Sequence, residues 1–124
     1  MNVENGLLNK NETDWLNALL IVDFDDKVEL IRQINQAEIE REYTKYYLSV
    51  KFNVSRKAAP LNMGIRVPIE MRVFRRDFSP IQFLLHIVDG YISELEIFCA
   101  DSSEIDSNIR LEKIEVILAE ELRD

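Results

Sequence analysis

The residues best suited to chemistry are one histidine, His86, one cysteine, Cys99, and two glutamates two positions apart, Glu94 and Glu96. A nucleophilic pair of Cys99 and His86 would need thiol and imidazole within hydrogen-bond reach. Both lie in segments flanking Asp89-Gly90. A tight hairpin there sets residue 86 opposite residue 93, leaving Cys99 about six residues, or roughly 20 Å, further along. The pair is predicted to stay apart. A zinc site needs several Cys or His ligands at short spacing, and this chain has only these two. Loops that cradle phosphate need clustered glycines, whereas Gly6, Gly64 and Gly90 are isolated. The stretch from Asp101 to Asp106 spaces its oxygens loosely like a calcium loop, but lacks the central glycine and terminal glutamate. No catalytic residue, cofactor or metal is assigned. An enzyme would require Glu94, His86 and the tyrosines to converge in a pocket.

Glu94 and Glu96 share one face of a strand, because side chains alternate with a period of two. Carboxylate pairs serve acid–base chemistry when burial separates their pKa values. Here Tyr91, Ser93, Leu95 and Ile97 would occupy the opposite face, which predicts solvated glutamates with Arg or Lys opposite on a neighbouring strand. Glu94, Glu96, Asp101, Glu104 and Asp106 are therefore read as an acidic patch that meets a basic partner.

The net charge of −8 over 124 residues is unevenly spread. Residues 1–40 carry −6, residues 41–76 carry +7, and residues 77–124 carry −9. Overall acidity disfavours nucleic acid, whose phosphates are repelled. The basic middle segment, 41–76, carries an alternative: a small RNA-binding or regulatory domain, with Arg56, Lys57, Arg72, Arg75 and Arg76 on phosphates and Tyr43, Tyr46 and Tyr47 stacked on bases. One cysteine gives no internal disulfide, and the first residues show neither a basic leader nor an apolar stretch, so the cytoplasm is the expected compartment. No apolar run approaches the roughly 18 residues of a membrane helix.

These residues must be positioned by elements that the periodicity defines. Trp15, Leu16, Leu19 and Leu20 form a helical stripe, with Asn11 as the expected cap and Glu12 and Asp14 in the first turn. A second helix, starting near Asp23 or Asp25, carries Val28, Leu30, Ile31 and Ile34. The period then changes to two. Leu48, Val50, Phe52 and Val54 alternate with Tyr47, Ser49, Lys51 and Asn53, and Ile65 to Val73 alternate with Arg66, Pro68, Glu70 and Arg72. Pro68 cannot donate to a ladder, which predicts an edge strand. Ile81–Val88 and Tyr91–Phe98 flank Asp89-Gly90, where a type I′ turn needs positive φ at both residues. The segment 111–122 fits a last strand or a short helix. The prediction is a single α+β domain over 1–124, with two N-terminal helices (about 11–37) packed on a mainly antiparallel β-meander of four to five strands (about 43–118).

The run His86-Ile87-Val88-Asp89-Gly90-Tyr91-Ile92-Ser93-Glu94-Leu95-Glu96-Ile97-Phe98-Cys99-Ala100-Asp101-Ser102-Ser103-Glu104-Ile105 resembles hairpins in small immunity proteins encoded beside polymorphic or contact-dependent bacterial toxins. The resemblance covers about twenty residues, the length of that run. It implies a non-catalytic role: binding a cognate toxin domain and blocking its active site. Many such toxins are basic nucleases, to which an acidic inhibitor is steered electrostatically.

Overall fold

The computed structural model describes residues 2–4 and 7–123. Helix α1 spans Lys10–Leu19 and α2 spans Lys27–Gln36. Six strands follow: β1 (Glu38–Tyr43), β2 (Tyr47–Asn53), β3 (Ile69–Arg75), β4 (Phe78–Val88), β5 (Tyr91–Cys99) and β6 (Ile114–Leu118), then a 3-10 turn η1 (Glu120–Leu122). The class is α+β, with all strands in one antiparallel sheet of order β1-β2-β5-β4-β3-β6.

Several expectations are corrected. There are six strands rather than four to five, and only β3-β4-β5 form a meander. The long β2–β3 connection crosses the sheet, so β2 pairs with β5. Pro68 precedes β3 instead of interrupting it, and β3 is interior, between β4 and β6. The segment 111–122 holds both a strand, β6, and the turn η1.

Helix α1 starts one turn-fraction earlier than expected. Asn9, not Asn11, is the cap: its side chain accepts from the Glu12 amide at 2.8 Å, and Glu12 accepts from the Asn9 amide at 2.9 Å. This reciprocal box satisfies two amides that the helix itself cannot. Helix α2 begins at Lys27 rather than near Asp23 or Asp25. Asp26 ahead of it has left-handed backbone (φ 72), and its carboxylate accepts from the Asn62 amide.

One buried cluster holds the apolar stripes of both helices and the inward residues of the strands, among them Trp15, Leu16, Ile31, Val50, Phe83 and Leu95. Trp15 meets Phe83 edge-on at 5.8 Å and Tyr43 at 6.4 Å between ring centres. Burial of this apolar area is the main stabilising term, about 25 cal/mol per Å². Among the described residues no helix is long and apolar enough to cross a membrane.

Strand β1 is the least obvious element, because its sequence Glu-Ile-Glu-Arg-Glu-Tyr offers a charged residue, Arg41, on the inward face. The partner that makes this tolerable is Glu12, which is fully buried. Arg41 donates to it through Nε at 2.8 Å and an Nη at 2.7 Å, and the Tyr43 hydroxyl donates at 2.6 Å. Burial alone would raise the Glu12 pKa, but the hydrogen bonds from Arg41, Tyr43 and the Asn9 amide outweigh it and hold the carboxyl below its ordinary value.

The β4–β5 hairpin has the expected turn, with φ of 53 at Asp89 and 85 at Gly90. Its register, however, slips between His86 and Ile87. His86 pairs with Glu94, not residue 93, and Ile87 pairs with Ile92, leaving Ser93 as the extra residue of a bulge. The slip moves Ile92, rather than Tyr91 or Ser93, into the core. Two amides are redirected at this point. Ile92 donates to the buried Gln33 Oε1 at 2.9 Å, and Ile87 donates to the Arg66 carbonyl at 2.8 Å. Gln33 Nε2 donates in turn to the carbonyls of Ala59 and Gly90. One side chain of α2 thus fixes the bulge, the turn and the β2–β3 connection together.

Candidate functional site

The face of the sheet turned away from the buried cluster is built from cross-strand rows. The register aligns Glu40, Lys51, Glu94 and His86 in one row. The next row is Glu42, Ser49, Glu96, Leu84, Glu70 and Ile117. A third runs from Tyr47 through Phe98, Gln82 and Arg72 to Glu115. With Glu38 opposite Asn53, this face carries seven carboxylates against two permanent bases, Lys51 and Arg72. Among its carboxylates lie the half-buried apolar Leu84 and Phe98 on the central strands, and Ile117 on the edge strand.

Glu94 and Glu96 lie at the middle of this face and are held in place. Glu94 Oε2 accepts from the Tyr47 hydroxyl at 2.6 Å and the Ser49 hydroxyl at 2.5 Å. Burial pushes the Glu94 pKa up, but the Ser49 and Tyr47 hydrogen bonds, with the charges of His86 and Lys51, bring it below the ordinary value. The carboxylate therefore stays ionised with a fixed orientation. Tyr47 shows the converse. Partial burial and its donation to Glu94 push the phenol up to about 12, so it remains a donor. Glu96 Oε1 lies 2.9 Å from His86 Nε2, and His86 Nδ1 is buried without a partner among the described residues.

Lys51 stands opposite Glu94 as the sequence suggested, while Glu96 faces Ser49 and Leu84 instead of a base. Both glutamates are half-buried rather than freely solvated. The remaining predicted residues lie in the segment that follows β5. Asp101 is exposed, and hydrogen bonds from Ser103 hold its pKa at about 2. Glu104 is exposed. Asp106 accepts from the Asn108 amide and borders a cavity of about 890 Å³ whose other walls include Arg75, Arg76, Arg110 and Lys113. The acidic loop therefore ends beside basic residues.

Glu94, His86, Glu96, Tyr47 and Ser49 do converge, which is the arrangement an acid–base catalyst would need. They converge on a sheet face. The cavity that Glu94 borders, about 270 Å³, is walled by Glu40, Lys51, Phe52, Asn53 and Ser93, with His86 and Glu96 outside that wall. Catalytic sites are usually concave enough to bury most of a small substrate. Cys99 is buried, opposite Ile81, and its sulfur accepts from Arg75 at 3.4 Å. It shares no contact with His86, which pairs with Glu94 further along the hairpin.

Ser49, Leu84 and Phe98, with the carboxylates Glu38, Glu40, Glu42, Glu70 and Glu115, are members of this face that the sequence did not place in the acidic patch, and Tyr47 was read there only as a base-stacking residue. The alternation of Tyr47, Ser49, Lys51 and Asn53 was the available signal for β2. Comparison with protein-family models, with curated proteins and with solved structures gives no match.

Proposed function

We propose that this chain is a non-catalytic immunity protein of the bacterial cytoplasm that binds and blocks a basic toxin domain. The observation that carries the reading is the outward sheet face, with seven carboxylates against two bases and the half-buried apolar Leu84 and Phe98 among them. Glu94 and Glu96 are its core: both are oriented by neighbours, and Glu94 is held ionised, ready to receive Lys or Arg without reorganisation. Asp101, Glu104 and Asp106 extend the negative potential along one end. A cationic partner is steered by such a field and then packs on Leu84 and Phe98.

The competing reading, RNA binding by segment 41–76, has less support because several of its bases are engaged within the fold. Arg41 is committed to Glu12, Arg66 donates to the Ile87 carbonyl, Arg72 pairs with Glu115, and Arg56 lies over the Tyr91 ring. The test is co-expression with the basic C-terminal domain encoded by an adjoining reading frame for a large secreted protein. Wild-type chain should restore growth. A variant carrying Glu40→Lys, Glu42→Lys, Glu70→Lys and Glu96→Gln should fail while melting like wild type. Full protection by that variant would exclude this face.

A further inference from the structure

The two edges of the sheet are built differently. Strand β1 presents Glu38, Glu40 and Glu42 on the outward face. Any two-fold antiparallel pairing of β1 with itself sets glutamate against glutamate, so this edge is protected by charge. Strand β6 reads Ile-Glu-Val-Ile-Leu, with Ile114 37% exposed, and carries one charge.

Which backbone groups of β6 are free follows from its bonds to β3. The Phe74 amide donates to the Lys113 carbonyl, and the Ala119 amide donates to the Pro68 carbonyl. Odd-numbered residues therefore direct their N–H and C=O groups at β3, and the even-numbered Ile114, Val116 and Leu118 direct theirs away from the sheet. Of these outward groups, the Leu118 carbonyl accepts from Arg123 Nε at 2.9 Å and keeps a second lone pair.

We infer that β6 is the contact through which two copies of this chain join into one continuous sheet. A two-fold axis at Val116 sets Val116 opposite the partner's Val116 and Ile114 opposite the partner's Leu118. All three are outward-bonding residues, which gives about six interchain N–H···O bonds. On the helix-side face the pairs are wholly apolar. On the other face Glu115 meets the partner's Ile117, with no like charges opposed.

Charge at the two ends of β6 supports the same register. Before the strand lie Arg110, Glu112 and Lys113, together net +1, with Arg110 paired to Glu112 at 3.6 Å; with Arg76 they wall the cavity of about 890 Å³. After it lie the exposed acids Glu120 and Glu121 of η1 and then the exposed Arg123, together net −1. Antiparallel pairing brings the net-positive start of one β6 beside the net-negative end of the other, twice over. Both copies carry −8, so association is best read at about 0.15 M salt, where charges beyond roughly 8 Å are screened.

Sedimentation equilibrium of the full chain tests this. The mass should rise from 14.6 kDa towards its double as concentration increases. Val116→Pro removes an outward N–H while leaving the bonds to β3 intact, and should weaken association about tenfold or more at unchanged far-UV dichroism. Should that variant fail to fold, Ile114→Lys should have the same effect, since a lysine on an edge blocks pairing. Glu120→Lys with Glu121→Lys should also weaken it, and adding Arg110→Glu with Lys113→Glu should restore it. A monomer at all concentrations up to about 1 mM, or a dimer indifferent to these changes, would overturn the inference.

Discussion

Replacing Arg41 by methionine isolates the contact that ties α1 to β1. The change removes two charge-assisted hydrogen bonds, at 2.8 and 2.7 Å, from a carboxylate with no solvent exposure. Tyr43 and the Asn9 amide still donate to Glu12, but the compensating charge is gone. Breaking a buried pair from one side costs about 3–5 kcal/mol. The Arg41 side chain is 39% exposed, which screens the interaction, so about 2–3 kcal/mol is the better figure here. For a domain of this size that lowers the melting temperature by roughly 8–12 °C.

The pH dependence adds a sign. In the wild type the Glu12 pKa is depressed, so its contribution is present above the unfolded value and lost as pH falls through the folded one. Without Arg41, burial dominates and favours the protonated form. The gap between variant and wild type should therefore narrow as pH falls below the ordinary carboxylate range. Calorimetry at neutral pH and in acid reads both effects. A loss under about 0.5 kcal/mol, the range of a surface pair, or a gap that widens in acid, would refute the reasoning.

Gly90→Ala should destabilise by more than about 1 kcal/mol, since left-handed backbone disfavours a side chain, and the added Cβ would lie 3.0 Å from the Leu61 carbonyl oxygen and the Pro60 Cβ; chemical denaturation measures it. Gln33→Leu leaves the Ile92 amide and the Gly90 and Ala59 carbonyls without this partner, at a cost of about 1–3 kcal/mol per group left unsatisfied. Hydrogen exchange should show the Ile92 amide losing protection selectively. Tyr43 and Tyr47 are both raised to about 12. A raised pKa stabilises the fold below the unfolded value of about 10 and is lost between there and about 12, so ultraviolet titration should show two late phenols, and Tyr47→Phe should remove one of them.

Much of the fold was legible because local periodicity set it. Trp15, Leu16 and Leu19 are buried on α1, and Leu20 at its C-cap, as their spacing requires, and Asp89-Gly90 makes the turn that its φ preferences dictate. What could not be read depends on contacts distant in sequence. Glu38–Tyr43 looks too charged for a strand until Glu12, 29 residues earlier, is seen to neutralise Arg41. The bulge at Ser93 is fixed by Gln33 through the amide of Ile92, 59 residues away, and no local pattern announces it. The site shows the same division. Alternation placed Glu94 and Glu96 on one face, but the donors that orient Glu94 come from Tyr47 and Ser49 on a strand 47 and 45 residues distant. The crossing of the β2–β3 connection, which makes β2 the neighbour of β5, is what assembles the acidic face.

The direct test of the central claim is the association rate with the basic toxin domain, measured by stopped flow against salt. An acidic face that steers a cation should give a rate that falls about tenfold or more between 0.05 and 0.5 M salt. The same rate should lose that slope when Glu40, Glu42 and Glu70 become lysine. A wild-type rate that does not change with salt would contradict the account.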